Sequence, residues 1–134
     1  TILANWINQI QRGEKIRCAR DQVFSPVHVD DVVATILATV RQDLSGIYNV
    51  GNPQSYSRLD MLRILIDSLC VEVPIIECSI RDFDFLDQRP LNLSMDSRKV
   101  LENTGLEFRS VSSCCQELSR KVRGEADVIS KEES

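Results

Sequence analysis

At 134 residues the chain has the length of one domain. Its 43% apolar residues suffice for a core, which excludes a disordered or low-complexity protein. Twenty acidic against 16 basic residues leave a net charge of −4, and Lys and Arg are scattered, so the basic face of a nucleic-acid binder is absent. No apolar run reaches the roughly 18 to 20 residues of a membrane helix, and no signal-peptide pattern is visible. The text opens on Thr1 in mid-helix, which points to a preceding part removed by processing or truncation.

Ile2, Leu3, Trp6, Ile7 and Ile10 recur at helical spacing, so residues 1–12 read as an amphipathic helix stopped by Gly13, with Trp6 in the core. Ile16 to Ala19 reads as a strand. Phe24 to Val29 reads as extended, because Pro26 denies it a central helix position. Asp30 and Asp31 then cap a helix that continues through Val32, Val33, Ile36, Leu37 and Val40 to about Gln42. Ser45-Gly46 is a turn, and Ile47 to Val50 is a strand closed by Gly51-Asn52-Pro53.

Ser57-Arg58-Leu59-Asp60 has the form of a capping box, and Leu62, Leu65, Ile66 and Leu69 give the following helix its buried stripe. Val71 to Ser79 reads as a strand interrupted at Pro74. Residues 80–93 lack periodicity, and such loops often carry binding groups. Asp96 caps a short helix from Ser97 to about Asn103, ended by Gly105. Ser110 caps another, with Val111, Cys114, Cys115, Leu118 and Val122 on one face. From Gly124 onward the chain is polar, and residues 123–134 read as a disordered acidic tail. The alternation of elements argues for an α/β fold, but with only three or four strands the sheet is incomplete.

Five cysteines are present without a C-x-x-C pair, and His28 is the single histidine. Metal-type spacing is therefore absent, and the thiols point to a reducing, cytosolic compartment. Cys114 and Cys115 read as core filler on their helix. The glycines at 13, 46, 51, 105 and 124 form no dinucleotide-binding or Walker loop. Neither Tyr48 nor Tyr56 is followed four residues on by lysine, so no tyrosine-lysine proton relay exists here. His28, between two valines in an extended segment, reads as packed or surface rather than catalytic. Arg89, in an irregular segment, could bind phosphate bidentately or form a structural salt bridge.

Three stretches remain: D-Q-x-x-x-P-x-x-x-D-D from Asp21 to Asp31, G-x-Y-N-V-G from Gly46 to Gly51, and R-P-x-N-x-x-M-D from Arg89 to Asp96. In that order they resemble the C-terminal half of an extended short-chain dehydrogenase/reductase. The subfamily they resemble is the dTDP-4-dehydrorhamnose reductase type, often called RmlD-like. The resemblance spans about residues 1–122. It implies a Rossmann-type α/β fold, here an incomplete sheet plus a small substrate-binding lobe, with Ile47–Val50 joining the sheet edge.

The resemblance implies further that the missing N-terminal Rossmann half carries the NAD(P) loop and the catalytic Tyr/Lys pair. This chain then holds no cofactor and no catalytic residue, and is inactive alone. Its substrate is a nucleotide-sugar. Arg89 meets the diphosphate, while Gln22, Phe24 and Ser25 line the approach to the sugar or the nicotinamide. A regulatory relative, the beta subunit of methionine adenosyltransferase, shares these stretches and implies an alternative, in which the partner is a methionine adenosyltransferase catalytic subunit. The family often has Arg-Arg-Pro where this chain has Gln88-Arg89-Pro90, so one candidate cation is lost. The resemblance also implies a marginal, aggregation-prone domain with an exposed apolar face.

Overall fold

A computed structural model describes the backbone of residues 1–132 and the side chains of residues 1–124. Helix α1 (Ile2–Gln11) leads into strand β1 (Ile16–Ala19) and the short strand β2 (Val23–Phe24). Helix α2 (Val29–Arg41) follows, then β3 (Tyr56–Ser57), α3 (Arg58–Leu69) and β4 (Ile75–Cys78). A 3-10 turn at Ile80–Asp82, β5 (Asn92–Leu93), α4 (Arg98–Thr104) and α5 (Val111–Glu132) complete the order. The chain is α/β. The expected tail at 123–134 falls largely on residues whose side chains, or at 133–134 whose backbone, lie outside the described residues.

Two small sheets organise these elements. β1 and β4 pair in parallel, with Ile16 opposite Ile75 and Ala19 opposite Cys78. A parallel pair needs a crossover, and α3 lies within it, packed on β1 and on α5. The second sheet has the order β3-β2-β5, antiparallel at β2–β3 and parallel at β2–β5. The core gathers Trp6 and Ile7 of α1, Ile16 and Cys18 of β1, Leu59, Met61, Leu62 and Leu65 of α3, and Val111 and Cys115 of α5. Burial pushes the Cys18 and Cys115 thiols up to about 11, in keeping with their role as core filler. Cys114 is half-buried, and all five cysteines are free.

Local chemistry sets the helix ends. The Ser57–Asp60 capping box forms, with Ser57 Oγ accepting from the Asp60 N–H at 3.0 Å. Ser110 Oγ accepts from the Ser113 N–H at 3.1 Å at the start of α5. Gly105 ends α4 with φ +69°, a left-handed conformation glycine adopts without strain. At α2 the cap is His28 rather than the aspartates: its Nδ1 accepts from the Asp30 N–H at 3.2 Å. That ring nitrogen is used by the backbone.

Two expected strands differ. Ile47–Val50 forms no strand among the described residues and does not join the β1–β4 sheet. Ile47 is 87% exposed, and side chains instead of a backbone ladder hold the segment. Lys99 Nζ donates to the Ile47 carbonyl at 3.1 Å and sits 4.4 Å from the Tyr48 ring centroid. The strand expected over Val71–Ser79 shortens to Ile75–Cys78. Proline has no N–H to give a ladder, yet the Pro74 carbonyl still accepts from the Ile16 N–H at 3.0 Å and opens the pairing.

Candidate functional site

The three stretches singled out in the sequence meet in space. β2 and β5 put Val23 opposite Asn92 and Phe24 opposite Leu93. The Val23 N–H donates to the Leu91 carbonyl at 2.7 Å. The first stretch thus runs along the third. The middle stretch is tied by hydrogen bonds to the end of the third and lies close to Ser25 of the first. Ser97 Oγ donates to the Gly51 carbonyl at 2.6 Å, and Asn49 Nδ2 donates to the Asp96 carbonyl at 3.4 Å. The Met95 N–H donates to Ser25 Oγ at 3.1 Å. Packing is tight at Gly51, where a Cβ would stand 3.0 Å from the Ser25 Cβ and 3.2 Å from the Met95 Cβ, so a larger residue would push on one of them.

Gln22 secures the Arg89-Pro90 segment. It is 1% exposed, and its whole amide is used inside the protein. Nε2 donates to the Pro90 carbonyl at 2.9 Å, and Oε1 accepts from Arg58 Nε at 2.5 Å. Gln22 was expected along the substrate approach, but it lies beneath the loop instead. Phe24 and Ser25 are half-buried; Phe24 packs against the core, and Ser25 Oγ is engaged by Met95. Of the four residues expected at the site, Arg89 presents its head group to solvent.

Arg89 stands at one end of a layered row. Its guanidinium lies 4.9 Å from the Phe85 ring centroid, and Phe85 stacks on Phe83 at 5.9 Å with a 24° interplanar angle. Arg17 covers the far ring, 4.9 Å from the Phe83 centroid, and donates through Nη2 to the Asp82 carbonyl at 2.7 Å. Cations over ring faces are held by the ring quadrupole while their N–H edges stay available to anions. Among the described residues no hydrogen bond or ion pair uses the Arg89 guanidinium. Beside it opens a cleft of about 300 Å³ lined by Ile80, Arg81, Phe83, Phe85, Asp87 and Arg89. Such a cleft can take an anionic group against arginine and a flat group against phenylalanine. The sequence reading missed Arg17, Arg58, Phe83 and Phe85. The Phe-x-Phe spacing inside the aperiodic loop was the available signal.

The root of the loop is held by the Asp21 carboxylate. Ser79 Oγ donates to Asp21 Oδ2 at 2.5 Å, and the Ile80 N–H donates to Asp21 Oδ1 at 2.8 Å. The Ser79 hydroxyl first, and then the Ile80 amide, hold the Asp21 carboxyl below its ordinary value. A carboxyl lowered on folding stabilises above its unfolded value, and that contribution is lost as pH falls through the folded one. Hydrogen exchange at Ile80 should therefore accelerate below about pH 4, relative to core amides of α3. Unchanged relative protection down to pH 2.5 would show that Asp21 does not hold the loop.

A second polar cluster fixes the start of α2. Arg109 Nη1 lies 3.2 Å from Asp30 Oδ2, and its Nε lies 3.5 Å from Asp31 Oδ1. The Arg109 N–H donates to Asp31 Oδ2 at 2.9 Å. These contacts join α2 to the entry of α5, and the adjacent cleft, about 90 Å³, is small and apolar.

No family model and no curated protein matches the chain. Solved structures do match. A dTDP-4-dehydrorhamnose reductase from Bacillus anthracis, in complex with NADP, superposes with a TM-score of 0.78 at 21% identity over 87% of this chain and 42% of that one. One from Clostridium acetobutylicum gives 0.81 at 17% identity, over 92% of this chain and 44% of that one. A UDP-N-acetylglucosamine 4-epimerase from Methanobrevibacter ruminantium, in complex with UDP-N-acetylmuramic acid, gives 0.74 at 15% identity, over 93% and 40%. The fold is that of part of a Rossmann-type short-chain dehydrogenase/reductase resembling the dTDP-4-dehydrorhamnose reductases. The chain spans less than half the length of these structures. No helix among the described residues is long and apolar enough to cross a membrane.

Proposed function

We propose that this chain is the nucleotide-sugar-binding part of an NAD(P)-dependent reductase resembling dTDP-4-dehydrorhamnose reductase, and that Arg89 receives the diphosphate. The observation that carries this reading is the Arg89-Pro90 segment. Gln22 anchors it from below, it is joined along β5 to the first family-like stretch, and it holds one cation over Phe85 at the rim of a cleft. Phe24 and Ser25 support the sugar side of the same lobe, and Gln22 acts by positioning the segment. Matched structures of the same fold carry names that refer to nucleotide-sugars, which supports the substrate class. Nothing in the geometry favours the methionine adenosyltransferase reading over this one.

The residues of this chain do not themselves fit a dinucleotide. A pyrophosphate needs glycine at a turn that opens a helix, where N–H groups converge. Gly13 and Gly105 follow the ends of α1 and α4, Gly46 lies in a bend that opens no helix, Gly124 lies within α5, and the space above Gly51 is filled by Ser25 and Met95. Any NAD(P) belongs to a part of the protein outside this chain, and no hydride step is assigned to these residues.

Calorimetric titration with dTDP and with dTDP-glucose tests the reading. Arg89→Ala should weaken both by about 1.5–3 kcal/mol, roughly 10- to 150-fold, the usual worth of hydrogen bonds to a charged group. Arg89→Lys should recover only part of this, since an ammonium lacks the guanidinium fork. Equal affinity for wild type and Arg89→Ala, with unchanged circular dichroism, would remove Arg89 from the site.

A further inference from the structure

The head group of Arg89 needs a support that its own loop does not supply. Between Ile80 and Leu93 the regular structure is one 3-10 turn and the two-residue β5, and Phe85 is 40% exposed. Gln22 holds the backbone at Pro90, not the side chain at Arg89. A long side chain on such a segment samples many rotamers. Fixing it before an anion arrives removes that entropy cost from binding. Asp87 lines the same cleft, yet among the described residues no carboxylate pairs with the Arg89 guanidinium.

Two rings and a second arginine provide the support. Arg17 sits on β1 between Ile16 and Cys18, both buried, so its backbone is anchored in the core. Its guanidinium lies 4.9 Å from the Phe83 centroid, Phe83 stacks on Phe85, and Phe85 carries the Arg89 guanidinium, again at 4.9 Å. The backbone brings the rings together. The Phe83 N–H donates to the Ile80 carbonyl at 3.4 Å, and the Phe85 N–H donates to the Phe83 carbonyl at 3.1 Å. Arg17 Nη2 donates to the Asp82 carbonyl at 2.7 Å, which fixes the first cation beside the first ring. Arg17 is not among the residues that line the cleft, so its effect on a ligand there is indirect.

Resting on the reading of Arg89 as the diphosphate cation, we propose that Arg17 is a positioning residue for that site. It clamps Phe83 and Phe85 into a platform, and the platform holds the Arg89 guanidinium with its N–H edges free. A cation over a ring face is attracted by the ring quadrupole without using its N–H groups. A carboxylate partner would also fix Arg89, but it would occupy the fork that phosphate oxygens need. The aromatic platform orients the arginine and leaves the fork open.

The test is a double-mutant cycle of Arg17→Ala and Phe83→Leu. Arg17 is exposed and leucine keeps an apolar side chain at 83, so both variants retain the fold. Without nucleotide, the heteronuclear NOE of the Arg89 Nε–Hε pair, assigned by its loss in Arg89→Lys, reports the mobility of the guanidinium. It should fall by about half in either variant and no further in the double, because both break one row. With dTDP as the probe, either variant should raise the dissociation constant about three- to tenfold, and the double by the same factor. Arg17→Lys keeps a cation for the ring and should recover part of both effects. A structural role alone would shift the urea midpoint and leave the Arg89 signal as in wild type, which would overturn the proposal. So would losses of affinity that multiply in the double variant, because Arg17 would then act by its charge and not through Phe83. Absence of dTDP binding by the wild-type chain would count against the diphosphate reading of Arg89. The Arg89 signal without nucleotide decides in either case whether Arg17 holds it.

Discussion

Replacing Gln22 with alanine should lower stability by about 3 kcal/mol and release the Arg89-Pro90 segment. Three contributions add. Arg58 Nε loses the acceptor it holds at 2.5 Å, and the Pro90 carbonyl loses its donor at 2.9 Å. The removed atoms also leave a void, because Gln22 is fully enclosed. A hydrogen bond to a charged group contributes about 1.5–3 kcal/mol, and an abandoned buried partner costs about 1–3 kcal/mol. Arg58 can recover water in part, which keeps the sum near the lower end. Gln22→Leu should be nearly as damaging, since it fills the space but still strands Arg58. Gln22→Glu should be milder, because it restores the acceptor and loses only the donor to Pro90. Urea midpoints at constant slope measure the stability change. Hydrogen exchange at Val23, whose N–H meets the Leu91 carbonyl, reports the loop separately. If Gln22→Ala unfolds like wild type, the loop is held by β2–β5 pairing alone, and the positioning role assigned to Gln22 fails.

Leu62→Ala should cost about 3–4 kcal/mol, the larger change in stability. Leu62 and Leu65 are fully buried on α3, where the helix packs on α5 and β1. Little around this site can collapse into the space, because Ile16 is held on β1 and Val111 and Cys115 on α5. A domain's whole stability is about 5–15 kcal/mol, so much of the margin goes. Ile36→Ala on α2 is the control. It deletes comparable apolar atoms from an exposed position and should change the melt of this chain by about 0.5 kcal/mol or less. Similar losses for the two would mean that α2 is covered in solution.

These contrasts separate what the sequence by itself determined from what needed the tertiary structure. Ends and periods of helices are local properties. Ser57 and Asp60 lie within one turn of each other, Gly105 follows its helix directly, and the stripe of Leu62 and Leu65 repeats every three to four residues. Such signals need no distant partner, so α1, α3, α4 and the start of α5 were legible, as were β1 and the family-like order of the three stretches. Helical spacing also marked Val33, Ile36 and Val40 on α2, but spacing reveals a face and not what covers it. Only the packed chain showed Asp31 and Thr35 turned inward.

Strand pairing is likewise non-local. Ile47–Val50 has the apolar and aromatic residues of a strand, yet the groups that reach it are the Lys99 side chain and the Asp96 carbonyl, about 50 residues on. The site follows the same rule. Arg89 was legible as a cation in an aperiodic loop. The buried amide of Gln22 beneath it, the Arg58 that completes that amide's hydrogen bonds, and the ring pair linking Arg89 to Arg17 depend on residues 36 to 72 positions apart being folded onto one another. No local pattern encodes such contacts, because their free energy comes from burial and pairing that exist only once the loop closes over β2.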